Sequence, residues 1–187
     1  MNPDLHNFKL VRHSSSTCHG ECSIEVGVQR REHEVLRLSY RASGDVQNIT
    51  LPAPASPKRN DNLWRHTCFE VFLAARDGTY CEFNFSPSTQ WAAYRFDTYR
   101  HGMSELVLQS APRISTEITR DALQLTATVD LRELCDIDVN QATMAIAAVV
   151  ENPSGELSYW ALQHPAGEPD YHHVDGFVAA LTDNGKS

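Results

Sequence analysis

This sequence predicts an all-β fold, a single antiparallel β-sandwich of jelly-roll type with about a dozen short strands. Three observations carry that prediction. Apolar residues recur at every second position in short runs rich in β-branched and aromatic side chains, the period of a half-buried strand. Long stretches of helical periodicity are missing. Clusters of Gly, Pro, Asn, Asp and Ser separate the runs at short intervals, as a chain of hairpins requires.

The elements follow in order. "SIEVGVQRR" sets Ile24, Val26 and Val28 against Glu25, Gly27 and Gln29. "EVLRLSYRA" sets Leu36, Leu38 and Tyr40 against Val35, Arg37 and Ser39. Residues 51–62, "LPAPASPKRNDN", hold three prolines. Proline has no N–H for a ladder, so a long loop is expected there. Three strands are expected in "TCFEVFLAA", "TYCEFNFS" and "QWAAYRFDTY". "LVLQSAPRISTEIT" and "ALQLTATVD" follow, joined by a turn at Arg120 and Asp121. "LRELC" predicts one helical turn, and "ATMAIAAVVE", apolar almost throughout, a strand buried on both faces. "ELSYWALQ" and "GFVAAL" close the chain. No repeat or second domain interrupts it, so one domain is expected over 1–187, with its core about 8–181.

The stretch "NDNLWRHTCFEVFL" raises the functional question, because one carboxylate, Glu70, sits inside an apolar run. Burying an unpaired carboxylate costs roughly several kcal/mol. "ARDGT" fits a type I turn with Gly78 in the left-handed conformation. The register expected from it pairs Val71 with Phe85, Leu73 with Phe83, Glu70 with Ser86, Phe72 with Asn84 and Ala74 with Glu82. One face is then core: Phe69, Val71, Leu73, Cys81, Phe83 and Phe85. The other carries Glu70, Phe72, Glu82 and Asn84. In the next strand, with Ala92, Tyr94 and Phe96 taken as core, Trp91 and Arg95 join that polar face. Carboxylates, an amide, a guanidinium and flat rings suit a sugar, whose hydroxyls need donors and acceptors and whose C–H faces stack. An exposed face laced with salt bridges fits the same pattern.

Composition narrows the functional classes. The chain has 187 residues, 41% hydrophobic and 21% charged, with a formal net charge of −8. An acidic chain without a basic stripe argues against nucleic acid and against an anionic membrane surface. No run reaches the ~20 apolar residues of a membrane helix. "MNPDLHNFKLVRHSSS" has no apolar signal region, so a cytoplasmic protein is expected, with its five cysteines reduced. Cys18 and Cys22, with His13 and His19 nearby, have a loose C-x3-C spacing and no second pair, which fits an exposed loop better than a metal site.

"LWRHTCFEVFL", "YCEFNFSPSTQWAAYRFDTYRHGM" and "YWALQHPAGEPDYHHVDGF" resemble bacterial DOMON-like proteins related to family 9 carbohydrate-binding modules, over about Phe8 to Leu181. The resemblance implies an antiparallel sandwich that binds a small carbohydrate or glycan end. It implies Trp64 as a stacking platform, Glu70 six positions on as a hydroxyl acceptor, and Arg95 as the arginine of a following strand. The second stacking tryptophan of such modules is missing: the corresponding loop, "HPAGEPDYHHVDGF", offers Tyr171, His172 and His173. Relatives joined to a peptidoglycan-precursor reductase make a cell-wall sugar nucleotide a ligand to consider. The expected ligand-binding set is Trp64, Glu70, Asn84 and Arg95, with His164 and Asp170 from the far rim.

Other chemistries compete. His164, His172, His173 and Asp170, with His66, would bind a divalent metal if their loops met at one rim. They lack a regular ligand spacing, and adjacent His172 and His173 on an extended segment point opposite ways. Haem-binding DOMON domains use a methionine and a histidine; Met103 with His164 is the available pair, Met144 reading as core. Glu70 and Glu82 are a carboxylate pair of the kind that hydrolyses glycosides, yet no nucleophile–base arrangement accompanies them. Cys68, two residues after His66, reads as a buried structural thiol. A non-catalytic binding module without a cofactor is therefore expected, a protein–protein module being the alternative use of the same face.

Overall fold

The computed structural model describes residues 5–16, 21–31, 34–134 and 137–181. Among these residues twelve strands run in chain order: β1 (Leu5–Arg12), β2 (Cys22–Arg31), β3 (Val35–Gly44), β4 (Cys68–Ala74), β5 (Tyr80–Phe85), β6 (Trp91–Phe96), β7 (Ser104–Glu105), β8 (Arg113–Ile118), β9 (Ala122–Asp130), β10 (Thr143–Glu151), β11 (Leu157–Ala161) and β12 (Ala179–Ala180). Every pair of these strands is antiparallel, in the order β7-β6-β5-β4-β10-β11-β1-β2-β3-β9-β8, with β12 beside β10.

Strand β1 folds this sheet into two layers. Its first part, Leu5 to Leu10, pairs with β2, while Val11 and Arg12 pair with β11. The layer β1-β2-β3-β9-β8 contributes Ile24, Val26, Leu36, Leu38, Tyr40, Leu123 and Leu125 to the interior. The layer β6-β5-β4-β10 contributes Phe69, Val71, Leu73, Phe83, Phe85, Ile146 and Ala148. Removing each such side chain from water supplies roughly 1.5–3 kcal/mol, which drives the layers together. The strand β1 escaped sequence analysis because most of its residues are exposed, and Leu10 is the buried anchor. "LRELC" does make a helical turn, a 3₁₀ turn over Leu131–Glu133 whose Arg132 N–H donates to the Asp130 carboxylate. Among the described residues no helix is long and apolar enough to cross a membrane.

The β4–β5 hairpin turns as its residues dictate, but two positions out of the expected register. Ala75 N–H donates to the Thr79 carbonyl at 2.9 Å, enclosing Arg76, Asp77 and Gly78. Phe69 therefore pairs with Phe85, Glu70 with Asn84, Val71 with Phe83 and Phe72 with Glu82. A shift of two leaves every side chain on its face. The face of Phe69, Val71, Leu73, Cys81, Phe83 and Phe85 is indeed interior. Gly78 has φ +92°, and a Cβ there would meet nothing within 4 Å. Gly78→Ala is thus expected to cost only the left-handed strain, about 1 kcal/mol, and to lower Tm by about 2–4 °C in a thermal melt.

The other face of this layer is not a surface. Leu63, Cys68, Phe72, Tyr80, Ala92, Tyr94, Phe96, Ala145, Ala147 and Ala161 form a second buried cluster on it, with Tyr171 and Phe177 packed against them. The segment 170–177 lies over this face as a cover, through Tyr171, His172 and Phe177. Alanines at positions 145 and 147 leave room for it, and a Cβ on Gly176 would stand 3.7 Å from the Ala145 Cβ. Strand β10 is buried on both sides for this reason, as its unbroken apolar run predicts.

Candidate functional site

Glu70 and Asn84 face the cover from opposed positions on β4 and β5. Glu82, two residues before Asn84, is diagonal to Glu70, about 7–8 Å away at Cα. All three are buried: Glu70 is 3% exposed, Glu82 6% and Asn84 1%. The Asn84 amide donates to Glu82 Oε1 at 2.6 Å, and the Cys68 thiol points at Asn84 Oδ1 from 3.7 Å. Glu70 Oε1 is buried without a hydrogen-bond partner. Glu70 was expected on an open sheet surface; it lies outside the sandwich interior but under the cover, because the second apolar cluster surrounds it.

The electrostatics follow from that burial. Desolvation pushes Glu82 up to about 7, against the pull of the Asn84 hydrogen bond and the Arg100 charge. Desolvation, and then the charge on Glu82, pushes Glu70 well above the ordinary carboxylate range. Glu82 therefore ionises first and holds Glu70 protonated. The Cys68 thiol is pushed up by burial and by both carboxylates, which keeps it unreactive at neutral pH.

The cover is tied down at three points. The Tyr171 hydroxyl donates to the Ala148 carbonyl at 2.9 Å and accepts from Trp160 N–H at 3.0 Å. His172 lies edge-on to Phe72 and Phe96, at 5.2 and 5.1 Å between ring centres. Its Nδ1 is 2.9 Å from the Tyr80 hydroxyl, which accepts from Arg100 N–H. Burial and the Arg100 charge hold His172 down to about 4, despite Asp170. The neutral ring then accepts from Tyr80 at Nδ1 and turns Nε2–H towards Glu82 Oε2, 3.9 Å away. Asp170 is the third tie, accepting from Tyr99 Oη at 2.5 Å, Arg100 Nη2 at 2.8 Å and His172 N–H at 3.0 Å. Burial would raise its pKa, but these donors outweigh it and hold the carboxyl low.

The remaining expected residues are scattered. Trp64 is 46% exposed, in a 3₁₀ turn over Leu63–Arg65 that Leu63 pins to the second cluster, and the Arg65 guanidinium lies 5.4 Å from its ring centre. Arg95 does not join Glu70. Tyr94 pairs with Glu82 and Ala92 with Asn84, so Ala92, Tyr94 and Phe96 face the cover and Trp91, Ala93 and Arg95 face the other way. Arg95 lines a hollow with Thr79, Leu106 and Glu133. The apolar set was read as interior, but in β6 the cover-facing side is the wholly apolar one and the other side carries Arg95, so polarity pointed the wrong way.

His164 Nε2 lies 2.8 Å from the Val11 carbonyl, beside His13, with its ring 6.4 Å from that of Tyr171. The histidine loops do not converge: His66 pairs with Glu151 at 2.8 Å, and His173 is the N-cap of Val174–Gly176, bonded by Asp175 N–H. Among the described residues no three His, Cys, Asp or Glu are grouped to hold a metal ion. Met103 is exposed just before β7, while His164 bonds to β1, six strands along the sheet. Met144 is interior, as expected. Cys18, His19 and Cys135 lie outside the described residues. Sequence analysis missed the roles of Tyr80, Tyr171 and His172 around the acids. The alternation of Tyr80, Glu82 and Asn84 was the one visible signal.

The fold and this patch define a β-sandwich with an acid pair enclosed on the outer side of one layer. No family model matches the sequence, and no curated protein matches it. A candidate carbohydrate-binding protein from Bacteroides uniformis is similar over 92% of this chain and 84% of its own, with a TM-score of 0.65 and 12% identity. A family 9 carbohydrate-binding module from Caldicellulosiruptor kristjanssonii, solved with glucose, is similar over 82% of this chain and 72% of its own, with a TM-score of 0.43 and 12% identity. The first likeness is one of fold.

Proposed function

We propose that this protein is a non-catalytic, cytoplasmic binding module for a small carbohydrate or glycan end, working without a cofactor. The observation that carries the reading is the patch on the cover-facing side of β4 and β5. It combines a carboxylate oxygen without a partner, a second carboxylate, an amide and a surround of aromatic rings. Sugar hydroxyls are donors that carboxylates accept well, and ring C–H faces pack on aromatic carbon. The resemblance of the sequence to DOMON-like proteins, and the sandwich shared with a candidate carbohydrate-binding protein, are in line with it. In this reading Glu70, Glu82 and Asn84 hold the hydroxyls, and exposed Trp64 stacks the ring. Asp170 acts through the cover it ties down, and Arg95 leaves the set.

Tryptophan fluorescence and calorimetry against a panel of mono- and disaccharides test this. A saturable response is expected, weakened about tenfold in Trp64→Ala if stacking is worth about 1.4 kcal/mol. A folded protein that binds no sugar in the panel by calorimetry would overturn the reading.

A further inference from the structure

Resting on the carbohydrate reading, we propose that the enclosed patch selects an amino sugar: a sugar whose free ammonium group meets the Glu70 carboxylate. The patch is rich in acceptors, and its strands bring it no cation. No Lys or Arg occupies the cover-facing positions of β4, β5, β6 and β10. Asn84 already gives its amide to Glu82, and His172, 3.9 Å from Glu82, faces the same acid. Glu70 Oε1 is left buried with nothing to accept from. A group with donors and a positive charge completes this arrangement, since charge-assisted hydrogen bonds are about twice as strong as neutral ones. A carboxylate or diphosphate brings its negative charge beside Glu82 with no ammonium to offset it, so acidic sugars and sugar nucleotides are disfavoured at this face.

The titratable groups around Glu70 are Cys68 on its own strand, Tyr40 on β3, Glu82 on β5 and Tyr171 on the cover, with Tyr80, Tyr94, His172 and Arg100 beyond them around Glu82. Burial and the Glu82 charge keep Glu70 protonated in the empty protein. An arriving ammonium takes the place of that proton, which leaves to solvent. The cover over 170–177 must shift to admit it. Its ties are the hydrogen bonds of Asp170, Tyr171 and His172 and the packing of His172 and Phe177 on Phe72.

Calorimetry of the whole protein at pH 7 with glucosamine, N-acetylglucosamine, glucose and glucuronic acid separates the possibilities. Glucosamine is expected to bind at least tenfold tighter than glucose and N-acetylglucosamine, and glucuronic acid weakest. In Glu70→Gln that preference should vanish: glucosamine and glucose then bind with equal affinity, both more weakly than glucose binds the wild type. Glu82→Gln should reduce the preference without removing it, because Glu70 remains. Glucose bound as tightly as glucosamine would overturn the inference and leave the carbohydrate reading standing. The same holds for a preference that survives in a folded Glu70→Gln. No binding of any of the four would overturn the inference, and silence across the wider panel would take the reading with it.

Discussion

Glu70→Gln is expected to make the protein more stable above neutral pH and to remove most of its loss of stability with rising pH. The sign follows from the direction of the shift. A carboxyl whose folded pKa lies above its unfolded value stabilises fully below the unfolded pKa, and the contribution is lost as pH rises through the folded one. Each pH unit between the two costs about 1.4 kcal/mol. Glu70 is raised well above its ordinary range by burial and then Glu82, so its loss continues past neutrality. Glu82, raised to about 7, contributes a similar loss between about pH 4.5 and 7, of order 3 kcal/mol. His172, lowered to about 4, acts oppositely: its contribution is present above pH 6.5 and is lost as pH falls towards 4.

Wild-type stability should therefore fall from pH 4.5 towards 6.5, by at most about 1.4 kcal/mol per unit, because Glu70 and Glu82 oppose His172, and His164, also lowered by burial, reduces the fall just below pH 6.5. Above pH 7 the decline should come from Glu70. In Glu70→Gln the two histidines offset Glu82 below pH 6.5, and the decline is lost. Urea denaturation from pH 4.5 to 8 checks this. An unchanged slope in the variant would mean that Glu70 is ionised and solvated in the folded protein.

Phe72→Ala is expected to cost about 3–5 kcal/mol, as much as Phe69→Ala, yet to fail in a different place. Both rings are essentially unexposed. Phe69 is packed between the layers, beside Tyr40 at 4.9 Å between ring centres. Its loss weakens the whole sandwich. Phe72 meets His172 and Phe177, so its loss leaves a cavity beneath the cover. Hydrogen exchange should show Phe72→Ala losing protection over 170–177 at lower denaturant than the strands, while Phe69→Ala loses both together. Equal loss everywhere in Phe72→Ala would mean that the cover and the sandwich unfold as one unit.

Much of this was legible in the sequence. Period-two alternation alone sorted Phe69, Val71, Leu73, Phe83 and Phe85 from Glu70, Phe72, Glu82 and Asn84, because successive side chains of a strand must point to opposite faces. The same rule misled in β6, whose cover-facing side is wholly apolar while its other side carries Arg95. Ala92, Tyr94 and Phe96 were therefore read as interior and Arg95 as a neighbour of Glu70, which the β5–β6 register reverses. Local chemistry likewise determined the Arg76-Asp77-Gly78 turn, whose left-handed glycine is a property of a few adjacent residues.

What covers a sheet face is not local. Ninety residues and more separate Glu70 and Tyr80 from Tyr171 and His172, and nothing in either segment names the other. Only the tertiary structure brought that segment over the acid pair. It made a carboxylate expected to be open into one that is enclosed, without a partner on one oxygen, and dependent on pH. Alternation reports which side of a strand a residue takes. Whether that side meets water is decided by chain from elsewhere.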